Sequence, residues 1–245
     1  MSYEAILFDL DGVVVDTQLA VTTFWQQIAA RYRCELTTED LDRSVYGRRA
    51  SETLEMLFAH LSGQQKDAIL QELQAAEQQA VYQEVSGVGA LLRALHAAQI
   101  PTALVTSAQH WKVETVLAQL GLAGLFAVQV SAEDMRRGKP DPEGYLRAAH
   151  LLKRPASSCI VFEDAPGGVQ AARAAGALCI GVRPEALASP LLAVGARCVI
   201  PDFTMVTVQC SLPKVEQGAG ALTLCVGTAL HVPFVERTVL PKRTG

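Results

Sequence analysis

The stretch Ala5-Ile6-Leu7-Phe8-Asp9-Leu10-Asp11-Gly12 decides how the chain is organised. Four consecutive apolar residues fit a strand buried on both faces, and the acidic turn after them marks its carboxyl end. Asp9 and Asp11 stand two apart in extended chain, so both side chains leave the same side of the backbone. Gly12 lets the chain turn without a Cβ clash. Two carboxylates held this way repel each other unless a cation or a proton intervenes. The pair reads either as a hard-cation site with one nucleophile and one acid–base partner, or as ordinary turn residues at a strand end.

The texture changes between residues 17 and 84, which are rich in Ala, Gln, Leu and Glu and contain no proline. Leu54, Leu57, Phe58 and Leu61 recur at helical spacing, and Thr37 or Thr38 followed by Glu39 and Asp40 reads as a helix start. This stretch is expected to form several helices in one block. After Ser86-Gly87 the pattern alternates. Helices are expected over 88–98, 110–120, 142–152 and 168–175, and strands over 102–105, 126–130, 160–162, 179–182 and 198–200. Short apolar strands alternating with amphipathic helices predict an α/β fold, a parallel sheet covered on both faces. Residues 211–245 lack a helical period, carry three prolines and four glycines, and include the β-leaning fragment Leu222–Val226, which the βα scheme does not place.

Of the 245 residues, 50% are apolar and 19% charged, as in a globular protein with a sizeable core. A net charge of −4 argues against a nucleic-acid surface or an anionic-membrane anchor. The apolar run before Asp9 is too short and too acidic for a secretory signal, and no uncharged stretch approaches the roughly 20 residues of a membrane span. The six cysteines include no Cys-x-x-Cys pair. A cytoplasmic protein with reduced cysteines, monomeric or weakly dimeric, is expected.

Three later segments each lie just past a predicted strand. Thr106-Ser107 offers hydroxyls and backbone N–H groups near a helix start, an oxyanion cradle or a plain cap. Gly138-Lys139-Pro140-Asp141-Pro142 sets one lysine in a stiff loop. Glu163-Asp164 ends an entirely apolar strand, where paired acids are costly without a partner, and a metal is the better explanation.

With Asp9-x-Asp11-Gly12, Val105-Thr106-Ser107, Gly138-Lys139-Pro140-Asp141-Pro142 and Phe162-Glu163-Asp164-Ala165-Pro166-Gly167-Gly168-Val169 in this order, residues 4–205 resemble the haloacid dehalogenase superfamily, in its helical-cap subgroup. The resemblance implies a three-layer Rossmann-like core over 1–15 and 86–208, a small helical cap over 16–85, and leaves 209–245 as an extension of unclear structure. It implies that Asp9 is the nucleophile that becomes an aspartyl-phosphate and that Asp11 is the acid–base partner. Mg²⁺ would be held by Asp9, the Asp11 backbone carbonyl and Asp164, with Glu163 in support. Thr106, Ser107 and Lys139 would bind the phosphate oxygens, and Arg48 is a candidate to reach substrate from the cap.

Asp11 disfavours dehalogenation, because family dehalogenases lack the second aspartate. The rival activity is that of a phosphosugar mutase resembling β-phosphoglucomutase. That mutase carries an arginine where this chain has Ala50 and a histidine where it has Val21. Gly47-Arg48-Arg49-Ala50-Ser51-Glu52, Phe24-Trp25 and Ser131-Ala132-Glu133-Asp134 are more similar to bacterial sugar- and glycerol-phosphate phosphatases. The expected substrate is a small phosphorylated metabolite. A non-enzymatic regulator on the same fold finds no support, since every polar group of the mechanism is present. His110 is expected to be an ordinary helical histidine, and Trp25 and Trp111 packing residues.

Overall fold

A computed structural model describes residues 3–210, 222–226 and 230–233. β1 (Ala5–Phe8) leads into four helices, α1 (Gln18–Arg31), α2 (Thr38–Ser44), α3 (Ala50–Leu57) and α4 (Gly63–Gln79). The chain then alternates through α5 (Val88–Ala97), β2 (Thr102–Val105), α6 (His110–Gln119), β3 (Val128–Val130) and α7 (Glu143–Leu151). β4 (Cys159–Glu163), α8 (Pro166–Ala174), β5 (Leu178–Val182), α9 (Ser189–Ala193) and β6 (Val199–Ile200) complete the series. Three further strands follow: β7 (Val206–Cys210), β8 (Leu222–Val226) and β9 (Leu230–Pro233).

The first six strands form one parallel sheet in the order β3-β2-β1-β4-β5-β6. This is the parallel α/β sheet expected from the alternation and the Rossmann-like core that the resemblance implies. Its period-2 pleat sorts β1 into two layers. Ile6 and Phe8 pack toward α5 and α6, while Ala5 and Leu7 pack toward α7 and α8. Phe8 stacks on Phe162 with ring centroids 5.2 Å apart. Each such fully buried aromatic or branched side chain contributes about 1.5–3 kcal/mol. Phe8 lies opposite both Leu104 and Phe162, so Asp9, Thr106 and Glu163-Asp164 emerge at one sheet edge. The strand order diverges on either side of β1, and such a point at the carboxyl edge is where open α/β sheets bind ligands.

Helices α1 to α4 share an apolar core of their own that includes Trp25, Ile28, Leu54, Phe58 and Ile69. Two of them start with capping boxes. Thr37 and Asp40 bond reciprocally at α2, and Ser62 and Gln65 do so at α4. The two chain segments joining this helical block to the sheet run side by side, with Asp16 N donating to Gln83 O at 2.9 Å and Val85 N to Val14 O at 3.1 Å.

β7, β8 and β9 form a separate antiparallel sheet. Val206, Leu224, Val226 and Val232 join the apolar layer of Ile6 and Phe8. The β-leaning fragment Leu222–Val226 is its middle strand. Of the 209–245 stretch, residues 211–221, 227–229 and 234–245 lie outside the described residues. Among the described residues, no helix is long and apolar enough to cross a membrane.

Candidate active site

The site is built on a buried ion-pair cluster. Lys139 Nζ donates to Asp9 Oδ1 at 2.7 Å and to Glu163 Oε1 at 2.5 Å, and lies 3.4 Å from Val105 O. Glu163 is fixed in turn by Tyr145 OH, which donates to Oε1 at 2.6 Å, and by Ala165 N, which donates to Oε2 at 3.1 Å. Lys139 is 3% exposed and Glu163 0%, so solvent does little to screen these charges.

Asp9, Glu163 and Asp164 bring one carboxylate oxygen each to within 4.8 Å of one another. Asp164 Oδ1 is buried with no hydrogen-bond partner. Burial pushes the Asp9 carboxyl up to about 7; Lys139 pulls it down and Glu163 pushes it up further. Asp164 is raised well above the carboxylate range by burial, then by Glu163 and Asp9. Burial opposes the charge on Lys139, but Asp9 and Glu163 outweigh it and raise the ammonium above its ordinary value. Three buried carboxylates around one ammonium are short of positive charge. An all-oxygen donor set with an orphaned carboxylate oxygen fits a hard divalent cation.

Two glycines permit this approach. Gly12 has φ +75°, and a Cβ there would strike the Asp164 carboxylate. A Cβ on Gly168, in the first turn of α8, would strike the Glu163 carboxylate. The second glycine of Ala-Pro-Gly-Gly is therefore a close-approach residue as well as part of a helix start.

Asp11 stays outside this cluster and has its own cation. Lys112 Nζ donates to Asp11 Oδ1 at 2.9 Å and Oδ2 at 3.1 Å, and to Glu77 Oε1 at 2.7 Å. Thr17 Oγ1 donates to Asp11 Oδ1 at 2.8 Å. A cavity of about 420 Å³ lies between the sheet edge and the helical block. Asp9, Asp11, Thr106, Ser107, Asp164 and Arg48 all line it, whereas Lys139 and Glu163 stand behind that surface. Arg48 Nη1 donates to Lys139 O at 2.9 Å and Ser107 Oγ to Gly47 O at 2.8 Å, so the helical block is docked on the sheet edge. Thr106 Oγ1 accepts from Ala108 N at 3.0 Å.

His110 turns to Asp134 at 3.4 Å and lies outside the cavity lining, and Trp111 Nε1 donates to Gln109 Oε1 at 2.8 Å. Trp25 packs on Phe58 and also lines the cavity. Lys112, Glu77, Thr17, Tyr145 and Arg183 were not legible as site residues. A signal existed for Lys112. It shares the buried face of α6 with Val113, Val116 and Leu117, where an unpaired lysine is rare. Arg183, 3% exposed, donates to Asp42 Oδ1 on α2 at 2.7 Å and lies over the Tyr46 ring.

Comparison with known proteins shows what the chain is similar to. The chain is 37% identical over 191 residues to hexitol phosphatase A of Escherichia coli, an alignment that covers 76% of this chain and 86% of that protein. It is 28% identical over 225 residues to the β-phosphoglucomutase of Bacillus subtilis, covering 87% of this chain and 96% of that one. Among solved structures, a hydrolase from Pseudomonas syringae shares the fold with a TM-score of 0.69 at 24% identity, over 82% of this chain and 94% of that one. The family profile described as haloacid dehalogenase-like hydrolase matches residues 6–182, the span that supplies every carboxylate of the floor and both lysines that pair with them; the chain belongs to that family.

Proposed function

We propose that this chain is a Mg²⁺-dependent phosphatase that hydrolyses a small phosphorylated sugar or polyol in the cytoplasm through an aspartyl-phosphate on Asp9. The observation that carries this reading is the Asp9 carboxylate, held by Lys139 beside the orphaned Asp164 in the cavity between the sheet edge and the helical block. In the first step an Asp9 oxygen bonds to phosphorus as the ester P–O bond breaks, and Asp11 gives its proton to the departing alkoxide. In the second step Asp11 takes a proton from water, which attacks phosphorus and frees Asp9. Thr106 and Ser107 cradle the equatorial oxygens from the cavity wall. Lys139, reinforced by Glu163 and Tyr145, orients Asp9 from behind and adds positive charge to the phosphate site. Asp9, Asp164 and the Asp11 carbonyl would hold Mg²⁺, which when bound neutralises charge between an anionic nucleophile and an anionic substrate. Both Glu163 oxygens already accept hydrogen bonds, which suits a supporting role. In this reading residues 1–15 and 86–208 are the catalytic core, and the cap over 16–85 selects the substrate, with Arg48 at its mouth.

The phosphatase is favoured over the mutase by the cavity wall. Val21 and Ala50 line it where a mutase needs groups to grip a second phosphate. The neighbouring cap arginines engage core carbonyls, Arg48 at Lys139 O and Arg49 at Ala132 O and Met135 O. A panel of phosphorylated sugars, polyols and glycolate, scored for phosphate release with Mg²⁺ and after chelation, tests the reading. With glucose 1-phosphate, free phosphate is expected; glucose 6-phosphate as the product would assign the mutase instead.

A further inference from the structure

Lys112 is a buried lysine that the proposed mechanism does not use, and its surroundings point to a specific task. It is 5% exposed, lies on α6, and bridges two carboxylates 66 positions apart in the chain, Asp11 of the sheet edge and Glu77 of α4. Glu77 sits in the last turn of α4, where the helix dipole disfavours an acid, so its placement calls for a counter-charge. The bonds on Asp11 are uneven. Oδ1 accepts from Thr17 at 2.8 Å and from Lys112 at 2.9 Å, whereas the bond from Lys112 to Oδ2 is longer, at 3.1 Å. Oδ1 is thereby pinned and Oδ2 is the oxygen left freer to carry a proton on a side chain that lines the cavity.

We propose that Lys112, anchored by Glu77, is a positioning residue that fixes the Asp11 carboxyl so that Oδ2 delivers its proton to the leaving alkoxide. The inference rests on the phosphatase reading of Asp11. In the step concerned, the Asp9 oxygen–phosphorus bond forms, the ester P–O bond breaks, and the proton passes from Asp11 to the alkoxide oxygen. Lys112 itself exchanges no proton; it fixes where the donor stands. A 1 Å displacement of such a donor is costly because proton transfer requires hydrogen-bond reach.

The consequence is a dependence on the leaving group that a merely structural lysine would not produce. Benzyl phosphate and p-nitrophenyl phosphate are similar in shape, but the first releases an alkoxide that needs a proton and the second a phenolate that does not. The quantity to compare is kcat/KM, which reports on the aspartyl-transfer step and not on hydrolysis of the intermediate. With Mg²⁺ present, Lys112→Met is expected to lower kcat/KM on benzyl phosphate by about 10²-fold and on p-nitrophenyl phosphate by less than about 5-fold. Lys112→Arg is expected to recover part of the benzyl activity. Equal losses on both esters, or no loss on benzyl phosphate, would overturn the proposal. Lys112→Met leaves two acids without their cation, so its thermal melt is recorded alongside; if it fails to fold, Glu77→Gln decides. That variant keeps the Lys112–Asp11 bonds but loosens their anchor, and a several-fold loss confined to benzyl phosphate is expected, against equal losses if the proposal is wrong. Wild-type protein that frees phosphate neither from these esters nor from the panel of sugar, polyol and glycolate phosphates would instead remove the phosphatase reading itself, and this inference with it.

Discussion

Lys139 Nζ stands 2.7 Å from Asp9 Oδ1 although the two residues are 130 positions apart, and both side chains are 3% exposed. The pair survives burial because Glu163 supplies a second negative charge to the ammonium. Removing Lys139 strands three carboxylates in the interior. Lys139→Met should therefore cost about 3–5 kcal/mol of stability in metal-free protein, as for other broken buried ion pairs. Denaturant titration measures it. Its activity should fall by about 10²–10³-fold even with Mg²⁺ present.

Gly168 tests the fit of α8 against the cluster. A methyl group there meets the Glu163 carboxylate, which holds Lys139. Gly168→Ala should lower kcat by more than about 10-fold and destabilise by about 1–3 kcal/mol. Gly176→Ala is a control for backbone strain alone, since Gly176 has φ +85° but no atom near its Cβ position; it should destabilise without a comparable loss of kcat.

The pH dependence of stability follows from Asp9. Its carboxyl titrates at the ordinary 3.8 in unfolded chain and at about 7 in the folded, metal-free protein, because burial penalises the charge. The folded state thus binds more protons than the unfolded state between those values. Metal-free stability should fall as pH rises through that window. A divalent cation takes the place of the protons. Saturating Mg²⁺ should raise the melting temperature more at about pH 7.5 than at about pH 5.5. Shifts of equal size at the two pH values would count against a carboxylate-held ion.

Arg183, just past the end of β5, and Asp42 on α2 form a 2.7 Å ion pair, with the arginine also over Tyr46, a cavity-lining residue. Asp42→Asn should weaken docking of the helical block and leave the chemistry intact. KM for a sugar phosphate is expected to rise about 3–10-fold with kcat within about 2-fold. Steady-state kinetics separates the two, and a fall in kcat alone would contradict this assignment.

Much of this architecture was legible because it is written in local chemistry. Ala5 to Phe8 is apolar at every position because β1 is covered on both faces, and the acidic residues that follow can only sit at its end. The same logic placed Glu163-Asp164 at the end of β4 and Thr106-Ser107 after β2. A helix start at Thr37 or Thr38 was visible because Glu39 and Asp40 follow at once, and the structure sets the cap at Thr37. Long-range pairing was not legible. Nothing near Lys112 in the sequence announces Glu77 or Asp11, and Tyr145 reads as a core aromatic until Glu163 is placed above it. The antiparallel sheet of β7 to β9 was missed as a unit for a related reason, since its pairing joins short strands whose sequence carries no helical or alternating βα period.

The central claim is that a carboxylate oxygen of Asp9 bonds to phosphorus. Rapid mixing of the Mg²⁺-loaded protein with an intact phosphate ester that it turns over, followed by acid quench and peptide mass spectrometry, tests it most directly. A phosphoryl group on the peptide carrying Asp9, absent from Asp9→Asn protein that melts like the wild type, is the expected result. Phosphate release by that variant near the wild-type rate, or a phosphoryl group trapped on another residue, would contradict the account.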